Sequence, residues 1–99
     1  MSKLPLELHD THDLYGAPLR QACIVTKVLA PAHAPEWARW LAELGFIPGE
    51  QVSVLARGLS ASAPLVVRAG SSTFALRQAE AACVQVRPLA AALAVATAA

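Results

Sequence analysis

The apolar positions of this chain change their period several times, and each change marks an element. From position 37 to position 54 the sequence runs WARWLAELGFIPGEQVSV. Trp37, Trp40, Leu41 and Leu44 fall at i, i+3, i+4 and i+7, which makes one apolar stripe on a helix and turns Arg39, Ala42 and Glu43 away from it. Pro35 suits the first turn, where a missing N–H is not needed, so the helix is expected over about 35–44. Gly45 then closes it, since glycine accepts the left-handed conformation of a helix C-terminus and Pro48 cannot continue the ladder. Pro48-Gly49 fits the central positions of a type II turn. Val52 and Val54 next alternate with Gln51 and Ser53, the period of a half-buried strand.

The rest of the chain is also read as short strands. Leu4, Leu6 and Leu8 alternate and run into the polar cluster His9-Asp10-Thr11-His12-Asp13, so a short first strand with a loop exit is expected. Over 20–29, Ala22, Ile24, Thr26 and Val28 alternate with Cys23, Val25 and Lys27, a strand expected to be mostly buried. Small and polar residues over 57–64 predict a long hairpin loop, and Gly70-Ser71-Ser72 between 65–68 and 73–77 predicts a tight one. One helical turn at 78–82 leads to a closing strand at 83–86, with Val84 and Val86 on one face. Five or six short strands with close hairpins and one early helix specify a mainly β fold, a small SH3-like antiparallel barrel over 1–87. The Ala-rich segment 88–99 is read as a tail, a docked or frayed helix.

Composition narrows the function. A chain of 99 residues supports a single core. Eight basic and seven acidic residues leave a formal charge of +1, too little field to gather phosphate backbones or anionic lipid, so nucleic acid is not an expected partner. Charge precedes any apolar run of signal-peptide length, and 89–99 is shorter than the roughly 20 residues that span a bilayer, so a soluble cytoplasmic protein without membrane insertion is expected. Cys23 and Cys83 have no Cys-x-x-Cys pairing and are expected as buried free thiols. No nucleophile elbow or glycine-rich phosphate loop is present, which argues against an enzyme. Proline-rich peptide binding needs an aromatic groove, and Tyr15 alone does not make one.

Leu14 with Gly16, Ile24 and Val28, Leu41 with Leu44-Gly45-Phe46, Pro48-Gly49, Val52 and Val54, Pro64, Leu76-Arg77, Glu80-Ala81, Val84 and Val86 carry a family resemblance in their order and spacing. From Leu14 to Val86 the chain resembles the FeoA-type ferrous iron transport accessory proteins, which are small SH3-like barrels. The resemblance implies a non-enzymatic cytoplasmic protein, with no required cofactor, that binds and modulates the FeoB permease at its cytoplasmic GTP-binding region. Family members often carry an arginine before the helical leucine and Gly-Asp-Pro in the long hairpin. Here Trp40 precedes Leu41 and Ser62-Ala63-Pro64 fills the loop, so a contact that depends on those features is put in question. The barrel also resembles the C-terminal domain of iron-dependent repressors, but no room is left in front of it for a winged helix, and a free-standing module is expected.

The candidate chemistry is sparse. His9, Asp10, His12 and Asp13 form the one cluster of potential ligands for Fe(II) or Zn(II), with His9, His12 and Asp13 the candidate set; His33, on a loop between two prolines, is either a recruited third ligand or, as expected here, no ligand at all. Against this stands a solvated polar loop, since a stable site needs more fixed ligands than a short loop supplies. Two such clusters could meet across a homodimer, giving a metal-responsive domain as the rival reading. Cys23 and Cys83 could join a metal only if the first and last strands lie side by side; otherwise they pack as small hydrophobes. Trp37 is read as core and Trp40 as partly exposed, a binding anchor. Arg57 and Arg77 end strands beside hairpins, where either stays solvated or meets an acidic partner.

Overall fold

The computed structural model describes residues 12–60 and 62–90. The expected strand at 4–8, His9, Asp10 and the tail from 91 lie outside the described residues. Within them run β1 (His12–Asp13), a 3₁₀ turn (Leu14–Gly16), β2 (Cys23–Val28), α1 (Glu36–Leu44), β3 (Gln51–Arg57), β4 (Leu65–Ala69), β5 (Ser72–Leu76), α2 (Gln78–Ala81) and β6 (Val84–Pro88). The strands form one antiparallel sheet in the order β1-β6-β2-β3-β4-β5.

The segment after α1 folds as its residues dictate. Gly45 takes φ +119°. Its N–H donates to Ala42 O and the Phe46 N–H to Leu41 O, both at 3.0 Å, the two bonds of a Schellman close. Leu41 and Phe46, the residues that such a close brings together, are both fully buried. One turn later the Glu50 N–H donates to Ile47 O at 3.0 Å, with Gly49 at φ +91°, as a type II turn requires. The Gly49 N–H reaches Val25 O and the Val25 N–H reaches Glu50 O, which sews this turn onto β2.

Two bulges decide which side chains face inward. In β2 the register shifts between Val25 and Lys27, and the Thr26 hydroxyl donates to Gln85 O at 3.1 Å. Plain alternation would carry Lys27 inward behind Cys23 and Val25. The extra residue leaves Lys27 exposed and brings Val28 against the core instead. In β3 the register shifts between Val54 and Ala56, so Ala56 is exposed and Arg57 pairs with the buried Leu65 on the inner side.

His12 and Asp13 are a correction to the expected loop: they pair with Val86 and Gln85 as an edge strand. Polar side chains hid this strand, because its order comes from the β6 backbone rather than from burial of its own side chains. The core gathers Leu14, Val25, Leu41, Phe46, Val52, Val54, Leu65, Val67, Leu76, Val84 and Val86 from every strand but β1 and β5's outer half. The curled sheet brings its ends together, since the 3₁₀ turn beyond β1 packs against α2 beyond β5.

Gly45 has open space where a Cβ would stand, so Gly45→Ala meets only the left-handed backbone cost. The variant is expected to lose about 1 kcal/mol and about 4–8 °C in Tm, read by thermal denaturation followed by circular dichroism.

Candidate functional site

The seam between the sheet's ends is the most elaborated place on the molecule. The guanidinium of Arg57, turned inward by the β3 bulge, donates from Nη1 to Tyr15 O and from Nη2 to Ala17 O. Its Cζ lies 5.7 Å from the centroid of the Tyr15 ring, within cation–π range. Asp13 fixes the same turn from below, its carboxylate accepting the Gly16 N–H at 2.9 Å. On the facing side Glu80 is 6% exposed. Its Oε1 accepts the Arg77 N–H at 2.8 Å and its Oε2 lies 3.5 Å from Arg77 Nε. This is the Glu half of a capping box, since arginine has no acceptor with which to complete it. A surface cleft of about 310 Å³ opens here between Tyr15, Arg57, Leu59, Leu65 and Gln78.

The expected metal ligands are dispersed. His12 is half-buried in β1, and its Nε2 is buried without a hydrogen-bond partner among the described residues. Asp13 spends one carboxylate oxygen on the cap. His33 is exposed and meets the Trp37 ring edge-on, with centroids 6.1 Å apart. The strands bearing the cysteines do lie side by side, but Cys23 pairs with Pro88 at one end of the ladder while Cys83 precedes the Val84–Val28 pair at the other. About five residues of strand separate them, roughly 17 Å. Both thiols are free and buried, and burial pushes both pKa values up, with Glu80 adding to the rise at Cys83. The Cys83 thiol donates to Ala79 O at 3.3 Å. Among the described residues, no three His, Cys, Asp or Glu side chains are grouped to hold a metal ion.

The expected partner residues occupy three places. Trp37 packs against the core from α1, while Trp40, one turn on, is 39% exposed. Ile47, beyond the Schellman close, is 45% exposed. Arg57 serves the seam. Arg77 keeps 80% of its side-chain surface in solvent even as it pairs with Glu80. Sequence reasoning missed Glu80 as a buried carboxylate; the signal was its place three residues after Arg77, the N-cap of α2, muted by an arginine where a capping box has serine or threonine. Among the described residues no helix is long and apolar enough to cross a membrane.

Comparison with known proteins follows the same boundaries. A family model described as the FeoA domain matches residues 12–88. The crystal structure of Stenotrophomonas maltophilia FeoA, a protein complexed there with zinc and described as a procaryotic SH3 domain protein, is 39% identical over 75% of this chain and 87% of that one, with a TM-score of 0.67. The solution structure of FeoA from Chlorobium tepidum is 26% identical over 78% of this chain and 70% of that one, with a TM-score of 0.63. A manganese-dependent transcriptional repressor shares the fold at 22% identity and a TM-score of 0.68, the likeness covering 80% of this chain but 42% of the repressor. Comparison with curated proteins found no match. The family model spans the sheet from β1 to β6, and with the S. maltophilia relative it places the chain: it belongs to the FeoA domain family of ferrous iron transport, with that family's SH3-like fold.

Proposed function

We propose that this chain is a non-enzymatic cytoplasmic accessory module of ferrous iron uptake that binds and modulates a FeoB-type permease at its cytoplasmic GTP-binding region. The observation that carries this reading is the FeoA match over residues 12–88. A role without catalysis is supported by the state of the two thiols, which are buried, self-satisfied and raised in pKa, the condition of inert cysteine. Trp40 is the docking anchor in this reading, a large ring left 39% exposed beside the buried Leu41 on a helix whose other exposed positions are Glu36, Arg39, Ala42 and Glu43. Arg57 and Arg77 play unequal parts beside it. Arg57 shapes the seam cleft from within, whereas Arg77 has the exposed surface to add an acidic contact.

The test is capture of the purified full chain by the cytoplasmic region of the cognate permease. Wild type is expected to bind, and Trp40→Ala to weaken binding by about tenfold or more with its thermal melt close to wild type. No association of the wild-type chain, in the presence or absence of guanine nucleotide, overturns the reading.

A second reading is supported by the zinc bound to the S. maltophilia relative and by the unpartnered Nε2 of His12. In it, His9, His12 and Asp13 take Fe(II) or Zn(II), and metal changes the association state of the chain. Sedimentation velocity on dilute protein, first with chelator and then with Zn(II), is expected to show a larger species that His9→Ala with His12→Ala abolishes. A sedimentation coefficient unmoved by metal removes this reading and leaves the permease-binding module standing.

A further inference from the structure

The two ends of the sheet are guarded differently. β1 presents two residues, too short to template another strand. β5 presents five, Ser72-Thr73-Phe74-Ala75-Leu76, with no charge, no proline and no bulge. Its ladder with β4 runs unbroken from Leu65–Leu76 to Ala69–Ser72, while the β2–β6 and β3–β4 ladders both shift register. Native sheets blunt an exposed edge with one of the devices this strand lacks.

Antiparallel geometry says which groups the edge offers. Ala69 and Ser72 flank the two-residue turn Gly70-Ser71, with Gly70 at φ +60°, and so form a hydrogen-bonded pair. Val67–Phe74 and Leu65–Leu76 are then hydrogen-bonded too, and the N–H and C=O groups of Thr73 and Ala75 point away from β4. Among the described residues neither backbone has a partner on that side.

We propose that β5 is a strand-pairing edge for a second copy of this chain, forming an isologous, metal-independent dimer. A two-fold axis at Phe74 sets Thr73 of each copy opposite Ala75 of the other, and the two pairs exchange four N–H···O bonds. The same register sets Ser71 opposite Arg77 of the second copy. Gly70, next to Ser71, lies under the carboxylate of Glu50, whose Oε2 would stand 3.0 Å from a Cβ at that glycine. Glu50 and Gly70 line one cleft with Arg68, which stands on the exposed face of β4 between buried Val67 and Ala69, and alternation from buried Leu76 sets the Arg77 side chain on that same outer face. Glu50 has no ion-pair partner among the described residues, and Arg77 is 80% exposed. The pairing therefore brings two symmetric Glu50–Arg77 contacts and opposes no like charges. Charge and register both fit a second copy, which selects this occupant over an unrelated strand.

An edge of five residues buries less than a standard interface, so association is weak and concentration-dependent. Sedimentation velocity in chelator, over a concentration series to about 1 mM, is expected to show a reversible monomer–dimer equilibrium. Ala75→Pro removes an outward N–H at a position where an edge strand accepts proline, and is expected to weaken the dimer by about tenfold or more. Glu50→Arg leaves the backbone untouched and sets like charges against each other; it is expected to weaken the dimer most at low salt. Circular dichroism checks that both variants keep the fold. A monomer at every concentration, a dimer unmoved by both variants, or amides of Thr73 and Ala75 already protected from exchange in dilute monomer each overturns the proposal.

Discussion

A single sheet covered by one nine-residue helix can bury the rest of its apolar face only by curling until its two ends meet, so this fold depends on how the meeting point is held. The ends here are polar or short: β1 is His12–Asp13, and α2 is four residues. Neither can seal a seam by apolar area alone. The Arg57 guanidinium does what area cannot, bonding the Tyr15 and Ala17 carbonyls of the turn beyond β1. Hydrogen bonds from a charged donor contribute about 1.5–3 kcal/mol each, and losing them would leave carbonyls without partners. Asp13 and Glu80 cap the two elements that face each other there, so three charged side chains shape one joint.

The β3 bulge is what makes this possible. Straight alternation from Val52 and Val54 would send Ala56 inward and Arg57 to solvent. The extra residue at the register shift reverses the two, and the end of an otherwise apolar strand delivers a cation to the seam. The bulge in β2 works the other way, lifting Lys27 out of a row that would have buried it. Each bulge therefore sorts a charge to the place where it is either useful or harmless.

Much of this was legible in the residues and some was not, for definable reasons. Gly45, Pro48 and Gly49 announce their turns because only a few residue types tolerate those backbone conformations, and α1 and β3 follow from period alone. The tight hairpin is also readable, its first strand starting at Leu65 as expected and its other three strand ends displaced by one residue. β1 reads as loop because its strand is specified by partners far along the chain, Val86 for His12 and Gln85 for Asp13. The destination of Arg57 was hidden because a bulge leaves no mark in a hydrophobic pattern, and Glu80 because its cap begins with arginine. Adjacency of the cysteine strands was a fair condition to set; the antiparallel register is what keeps Cys23 and Cys83 at opposite ends. The family assignment reached further than the patterning, since the order of its motifs carries information that no single turn does.

The seam is best tested by native-state amide exchange on wild type and Arg57→Met, which keeps side-chain length and removes the donors. The Gly16 and Ala17 amides, which bond Asp13 Oδ1 and Leu14 O, are expected to exchange about tenfold faster or more in the variant. The Val67 and Phe74 amides of the β4–β5 ladder are expected to hold nearer their wild-type protection. Unchanged exchange at Gly16 and Ala17, or an equal loss at every amide, would contradict a barrel closed locally by this arginine.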